Sequence, residues 1–280
     1  MQKFFLGIDF SSSHLAKKGK TVVVILAQKQ GEDRPCVEEI IALRNNTEFT
    51  DFLGMQKFDL CGLDSPLSLP SCVLCQKTNC DCPLVHWRKL LGIGVEDFYH
   101  YRLSDILIRK AIPPLSPKPA LSNGGPVDIT PLTLRWLHLS RLLKQQNIAT
   151  NRIIEVYGSG AIQIYAKELG LSEEKNFHYR RSEENRELLL SKISRFNVVQ
   201  IKRELFEIFV NNEDAFDALF VALTSWHVAN GYYLSPENLL SLSNPPSWVR
   251  SLSHIPKIER LAMKTFLEDK QWSFLPIPTL

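Results

Sequence analysis

Phe4-Phe5-Leu6-Gly7-Ile8-Asp9-Phe10-Ser11-Ser12 is the stretch whose reading decides the fold of this chain. A short apolar run ends in Gly-Ile-Asp, and small hydroxyl residues follow. A run of this length suits a buried β-strand better than a helix. It would deliver one carboxylate to the strand's C-terminal edge. A comparable strand-to-acid stretch recurs at Phe58-Asp59-Leu60-Cys61-Gly62-Leu63-Asp64. A third acidic element, Asp214 and Asp217, opens a long run of small and apolar residues that continues to His227. Three separated acidic elements of this kind suggest one metal-binding crevice.

Working outward, Thr21 to Ala27 is a β-rich run, and Cys36 to Leu43 reads as a third strand. Three strands in immediate succession predict an antiparallel start to a mixed sheet. A short helix is expected over Thr47 to Met55, and a strand over Lys57 to Asp64 that Ser65-Pro66 ends. A helix is expected within Tyr99 to Lys110. Pro113, Pro114, Pro117 and Pro119 then impose an irregular connection. Thr130-Pro131 begins another helix, with Thr130 as cap. Asn151 to Tyr157 reads as a strand, and Gly158-Ser159-Gly160 leads into a helix that Gly170 stops. Phe196 to Ile201 reads as a strand or a loop. The run from Ala215 to His227 is a helix packed directly on the sheet. A final helix over Lys257 to Lys270 and a terminal strand at Trp272 to Leu275 complete an α/β chain. Residues 1–232 are expected to form the main domain, with an insertion at 69–87, and residues 233–280 a C-terminal extension packed on it.

The chain has 280 residues, 44% of them hydrophobic and 22% charged, which describes a soluble globular protein with a substantial core. Its formal net charge of +3 permits a nucleic-acid partner, whose phosphates would have to be met by local patches. No apolar run approaches the length of a membrane span. The N-terminus carries a charge at Asp9 where a secretory leader would stay apolar. The expected location is the cytoplasm, with no membrane partner.

Asp9 and Asp64 each follow an apolar run, so neighbouring strands would project both from one sheet edge. Asp214 and Asp217 are three residues apart and share a helix face. Ala215 and Ala218 would let that helix approach the sheet. Like charges gathered so closely raise at least one carboxylate pKa, and a divalent cation relieves them. Oxygen ligands suit Mg²⁺ or Mn²⁺. Two such ions about 3.5–4 Å apart would activate water and stabilise the leaving oxygen of a phosphodiester. Asp217, inside an apolar helix, is the expected inner ligand, with Asp214 its partner. Each aspartate alone could equally cap a helix, pair with a lysine or face water. Glu155 interrupts Ile153-Ile154 and Val156-Tyr157, and is a further metal ligand, a general base or an edge carboxylate. The glycines after it allow close backbone approach to phosphate.

Gly7-Ile8-Asp9, Leu63-Asp64-Ser65-Pro66-Leu67, Tyr101-Arg102-Leu103-Ser104-Asp105, Glu155-Val156-Tyr157 and Asp214-Ala215-Phe216-Asp217-Ala218-Leu219 occur in this order. Together they resemble a family of uncharacterised, predicted nucleases labelled as a domain of unknown function, from Lys3 to about His227. The resemblance implies a ribonuclease H-like mixed β-sheet flanked by helices. The acidic set Asp9, Asp64, Asp214 and Asp217 is also similar to that of Holliday-junction resolvases. This implies Mg²⁺-dependent phosphodiester hydrolysis, on DNA or RNA. Members of the family often carry proline after Glu-Val-Tyr, where this chain has Gly158. The same fold includes ATP-binding kinases and chaperones, whose phosphate loops carry glycines where this chain has Phe10-Ser11-Ser12-Ser13. Two other functions therefore stand beside the nuclease: a non-catalytic nucleic-acid-binding protein, and an ATP-binding phosphotransferase.

Arg102 and Asp105, three apart on a helix, either form a routine pair or leave Arg102 to clamp phosphate. Ser11, beside Asp9, is the other cofactor-binding candidate. Arg109, Lys17, Lys18 and Lys20 could extend a positive surface. The spacing Cys72-x2-Cys75-x4-Cys80-x-Cys82 offers four soft ligands for a tetrahedral Zn²⁺ that would hold the inserted loop. An iron–sulfur cluster and a reduced metal-free loop are the alternatives, and His86 could replace one cysteine. Cys36 and Cys61 read as buried small side chains, and His227 as a packed or capping residue rather than a catalytic one. Trp136, Trp226 and Trp248 read as core or interface residues.

Overall fold

The sheet is built outward from the first strand. β1 (Lys3–Asp9) pairs antiparallel with β2 (Thr21–Gln28), and β2 pairs antiparallel with β3 (Cys36–Leu43). On its other side β1 pairs parallel with β4 (Leu60–Leu63), and β4 pairs parallel with β5 (Ile153–Val156). β6 (Ser273–Phe274) completes the order β3-β2-β1-β4-β5-β6. The computed structural model describes residues 2–10, 21–73, 75, 80–112, 115, 130–171, 177–270 and 272–279. Ser11, Lys17, Lys18, Lys20 and the loop prolines 113, 114, 117 and 119 lie outside them.

The helices are α1 (Asn46–Met55), α2 (Pro83–Leu91), α3 (Asp97–His100), α4 (Leu103–Ala111), α5 (Thr130–Gln145), α6 (Gly158–Glu168), α7 (Glu183–Arg195), α8 (Arg203–Asn211), α9 (Glu213–Ala229), α10 (Pro236–Leu239) and α11 (Lys257–Lys270). Capping residues set several of their starts. The Asn45 side chain accepts the Glu48 N–H, Ser182 the Asn185 N–H and Asn212 the Ala215 N–H. The α/β class and the mixed sheet flanked by helices thus agree with expectation. Phe196 to Ile201 forms no strand; Gln200 makes one isolated bridge to Cys36.

The chain divides into two compact units. One comprises Met1–Ser65, Arg135–Tyr233 and Phe274–Leu280, and the other Pro66–Leu134 and Leu234–Ser273. The stretch expected as an insertion at 69–87 falls in the second unit, which extends well beyond it. Within that unit, the Trp87 indole N–H and His86 Nε2 both meet the Glu259 carboxylate, at 2.8 and 3.1 Å.

The first unit contains β1 to β5 and the helix that decides the site. From Ala215 to His227 every residue of α9 is buried. A helix apolar all round belongs in a core, and α9 lies against β1, β2 and β4. Gly7 and Gly62 are register partners on β1 and β4. A Cβ at Gly7 would run into the backbone of Ala218 and Ala222, and one at Gly62 would come within 2.5 Å of Ser225 Oγ. The two glycines form the floor on which α9 rests. The Ser225 hydroxyl then donates to the Leu6 carbonyl at 3.0 Å and ties helix to strand. Beneath them, Phe5, Val24, Leu26, Phe216, Phe220 and Trp226 share one apolar core.

Candidate metal centre

Asp9 is the last residue of β1, and Asp64 follows the last residue of β4. The Asp64 N–H donates to the Ile8 carbonyl at 2.9 Å, which carries the parallel ladder one step further and sets the two acids side by side. Both lie on the sheet face of Gly7 and Gly62, since side chains alternate along a strand. That is the face covered by α9. Asp217, one turn into α9, therefore meets them. One carboxylate oxygen from each of Asp9, Asp64 and Asp217 lies within 4.8 Å of the other two. Among the described residues this is the one such group of three.

The cluster holds a real electrostatic conflict. Asp217 is only 4% exposed, and its Oδ1 is buried without a hydrogen-bond partner. Burial pushes its carboxyl up to about 7, against the opposing pull of the Arg180 guanidinium, with Asp64 adding repulsion. Asp9 is pushed well above the usual carboxylate range by burial, then by Asp217, Asp64 and Asp214. Burial also raises Asp214, with Glu213 adding to it, while the Arg180 guanidinium works the other way. Acids crowded in this way persist without a cation by holding protons to higher pH.

A divalent cation fits this donor set. It would replace those protons, satisfy the orphaned Asp217 oxygen and be held by hard oxygen ligands. Asp64 is already oriented for that role. Its Oδ1 accepts the Gly158 N–H at 3.2 Å, from the first turn of α6. A Cβ at position 158 would lie 2.6 Å from Asp64 Oδ2, so glycine here leaves the carboxylate its place. At the end of β1, Phe10 is buried against Phe49, and the Arg135 guanidinium lies 4.4 Å from the centre of its ring. These contacts anchor the chain just beyond Asp9.

Other expected residues stand elsewhere. Glu155 pairs in register with Leu63, so alternation puts it on the opposite sheet face from Asp9 and Asp64. It is buried there, 5% exposed, and does not join the triad. Arg102 Nη2 and Nε donate to the Asp105 carboxylate at 2.7 and 3.0 Å in a buried pair that caps α4, the pairing expected from their spacing. Arg109 lies over the Tyr101 ring. His227 is fully buried, with Nε2 on the Tyr165 hydroxyl, and burial lowers its pKa to about 3. A neutral, packed histidine matches the expectation. Trp136, Trp226 and Trp248 are buried, and Cys61 fully so, whereas Cys36 keeps some exposure. All four clustered cysteines carry free thiols.

The sequence reading missed Arg180 and Tyr179. Arg180 Nη2 donates to Asp217 Oδ2 at 2.9 Å, and Tyr179 is buried beside the same carboxylate. They lie in a polar stretch, Arg180 37 residues before Asp217, with no periodic pattern to mark them. The available signal was a tandem Arg180-Arg181 after a buried-type aromatic and just before the Ser182 cap.

The raised acids make a pH prediction. The native state holds these protons to higher pH than the unfolded chain does. Their stabilising contribution is complete below the ordinary carboxylate range near 3.8 and is lost as pH rises through about 7. In chelator, the melting temperature should fall between pH 5.5 and pH 8 by several degrees, and Asp217→Asn should flatten that fall. An unchanged slope in the variant would refute the assignment.

A family described as "Protein of unknown function (DUF429)" matches residues 7–239. No match is found among the curated proteins or the solved structures.

Proposed function

The chain belongs to the family described as "Protein of unknown function (DUF429)", and we propose that it is a metal-dependent nuclease or phosphodiesterase of the ribonuclease H-like type, acting on nucleic acid in the cytoplasm. The observation that carries this reading is the convergence of Asp9, Asp64 and Asp217, together with a buried Asp217 oxygen that has no hydrogen-bond partner. The strand order, with antiparallel β1–β3 followed by parallel β4 and β5, agrees with that fold type. Free thiols at all six cysteines suit a reducing compartment.

Asp9, Asp64 and Asp217 would hold Mg²⁺ or Mn²⁺, with Asp214 as an adjacent carboxylate. When bound, such ions supply a water acidic enough to attack at neutral pH and charge to stabilise the leaving oxygen. The protein's own part is orientation. The Gly158 N–H fixes Asp64, and the buried Phe10 fixes the strand end behind Asp9, while Arg180 pairs with one oxygen of Asp217. Glu155, in register with Leu63, lies outside the triad.

Turnover of a panel of single-stranded, duplex and branched DNA and RNA in Mn²⁺ tests the proposal. Cleavage should be abolished by Asp9→Asn. Tight nucleic-acid binding without cleavage would replace it with a binding function, and nucleotide-dependent phosphate transfer would replace it with a phosphotransferase.

Cys72, Cys75, Cys80 and Cys82 hold a structural Zn²⁺ in this reading. Their spacing carries it. Burial pushes the Cys72 thiol up to about 11, with Cys82, Cys80 and Cys75 adding repulsion that a cation would relieve. Protein purified after zinc-replete expression should contain one equivalent of zinc, lost in Cys72→Ser. Absence of zinc from the wild-type protein would overturn this part.

A further inference from the structure

Arg180 is anchored on the acidic centre by one edge of its guanidinium. Nη2 donates to Asp217 Oδ2 at 2.9 Å and Nε donates to the Tyr179 hydroxyl at 3.2 Å. The guanidinium carbon lies 5.7 Å from the centre of the Tyr179 ring. Among the described residues, Nη1 has no hydrogen-bond partner, and 50% of the side chain is open to solvent. Asp217 beside it is buried. An arginine whose one task was to neutralise a buried acid would be buried with it, because exposure lets water weaken the attraction. Here one nitrogen edge is held rigid and another is left free next to the place where a cation fits.

The backbone adds to this. Arg181 sits at φ 63°, in the left-handed region that non-glycine residues seldom adopt. Such conformations persist where the surrounding structure holds them, and they cluster at functional sites. This one forms the turn that ends at the Ser182 cap of α7 and places Arg180 over Asp217.

We propose that Arg180 binds the substrate phosphate: Nη2 stays on Asp217 while the Nη1 edge takes a non-bridging oxygen of a phosphodiester. The inference rests on the phosphodiesterase reading above and deepens it. Asp9, Asp64, Asp214 and Asp217 would repel a phosphodiester monoanion. With divalent cations balancing those carboxylates, Arg180 is a positive charge held beside the centre to attract it. A planar guanidinium can serve a carboxylate and a phosphate together, because its donors point in several fixed directions. An ammonium lacks that fork.

The test separates metal from phosphate. Mn²⁺ alone is titrated by calorimetry into the full-length wild-type, R180Q and R180K proteins. Dimethyl phosphate is then added to the Mn²⁺-saturated proteins, and its binding is followed by broadening of its ³¹P resonance. R180Q keeps a donor for Asp217 and drops the charge. Its Mn²⁺ affinity should stay within about threefold of wild type, while dimethyl phosphate binds roughly tenfold or more weakly. R180K should recover part of that loss. Undiminished dimethyl phosphate binding in R180Q overturns the inference and leaves the metal centre standing. Parallel loss of Mn²⁺ and dimethyl phosphate binding also overturns it, because Arg180 would then only orient Asp217. Failure of the wild-type protein to take up Mn²⁺ sinks the metal-centre reading, and this inference with it.

Discussion

Gly7→Ala is expected to destabilise the protein by about 4 kcal/mol, a large share of the roughly 5–15 kcal/mol typical of a folded domain. The added methyl would collide with main-chain atoms of Ala218 and Ala222, inside a helix that is buried on every side. Backbone cannot rotate away as a side chain can, so α9 would have to lift from β1. The core formed by Phe5, Phe216, Phe220 and Trp226 would open with it. Gly62→Ala makes the informative control. Its methyl meets the Ser225 hydroxyl and the side chains of Val156 and Val221, which can give way at lower cost. Denaturant unfolding of both variants decides the matter: a loss below about 1 kcal/mol for Gly7→Ala would mean that α9 is not seated on β1 as described. Because Asp217 rides on α9, any Gly7→Ala protein that still folds should also bind Mn²⁺ less well.

Asp9→Asn should produce the largest functional change, and in an unusual combination. Mn²⁺ affinity should fall by more than about 100-fold, since even residues that merely support a metal ligand cost about 10–100-fold when removed. Cleavage should disappear with it. Yet the metal-free variant should be more stable than wild type at pH 8, by about 1–2 kcal/mol. The amide is nearly isosteric and removes a carboxyl that burial, Asp217, Asp64 and Asp214 all oppose charging. A site that is strained without its cation has this signature, and an ordinary surface acid does not. Calorimetric Mn²⁺ titration and melting curves in chelator measure the two effects. A variant that melts below wild type at pH 8 while binding Mn²⁺ normally would show that Asp9 serves the fold and not a cation.

The acids were legible because each follows a strong local signal. Asp9 and Asp64 end apolar strand runs, and Asp217 interrupts a helix whose neighbours are all apolar, where a charge is out of place. Glu155 shows the limit of the same signal. It too sits in a short apolar strand, but a single step of register puts it on the other face of the sheet. Arg180 shows the opposite limit. Its neighbours form no regular element and no hydrophobic pattern points to it, so its place over Asp217 follows from the turn at Arg181 and the start of α7. Arg102 carried a fair local expectation, the i to i+3 pair with Asp105, and the structure realises it as a buried cap.

Taken alone, the sequence determined the α/β class, the antiparallel opening of the sheet and the strand ends that carry acids. These depend on residues close together along the chain, where apolar run length, capping groups and turn residues act directly. Only the tertiary structure decided which acids meet. That depends on the parallel register of β1 and β4, on the Gly7 and Gly62 floor that lets α9 descend, and on the rotation of α9 that turns Asp217 inward. These are relations between residues distant in sequence, set by packing of the whole core, and no local pattern encodes them.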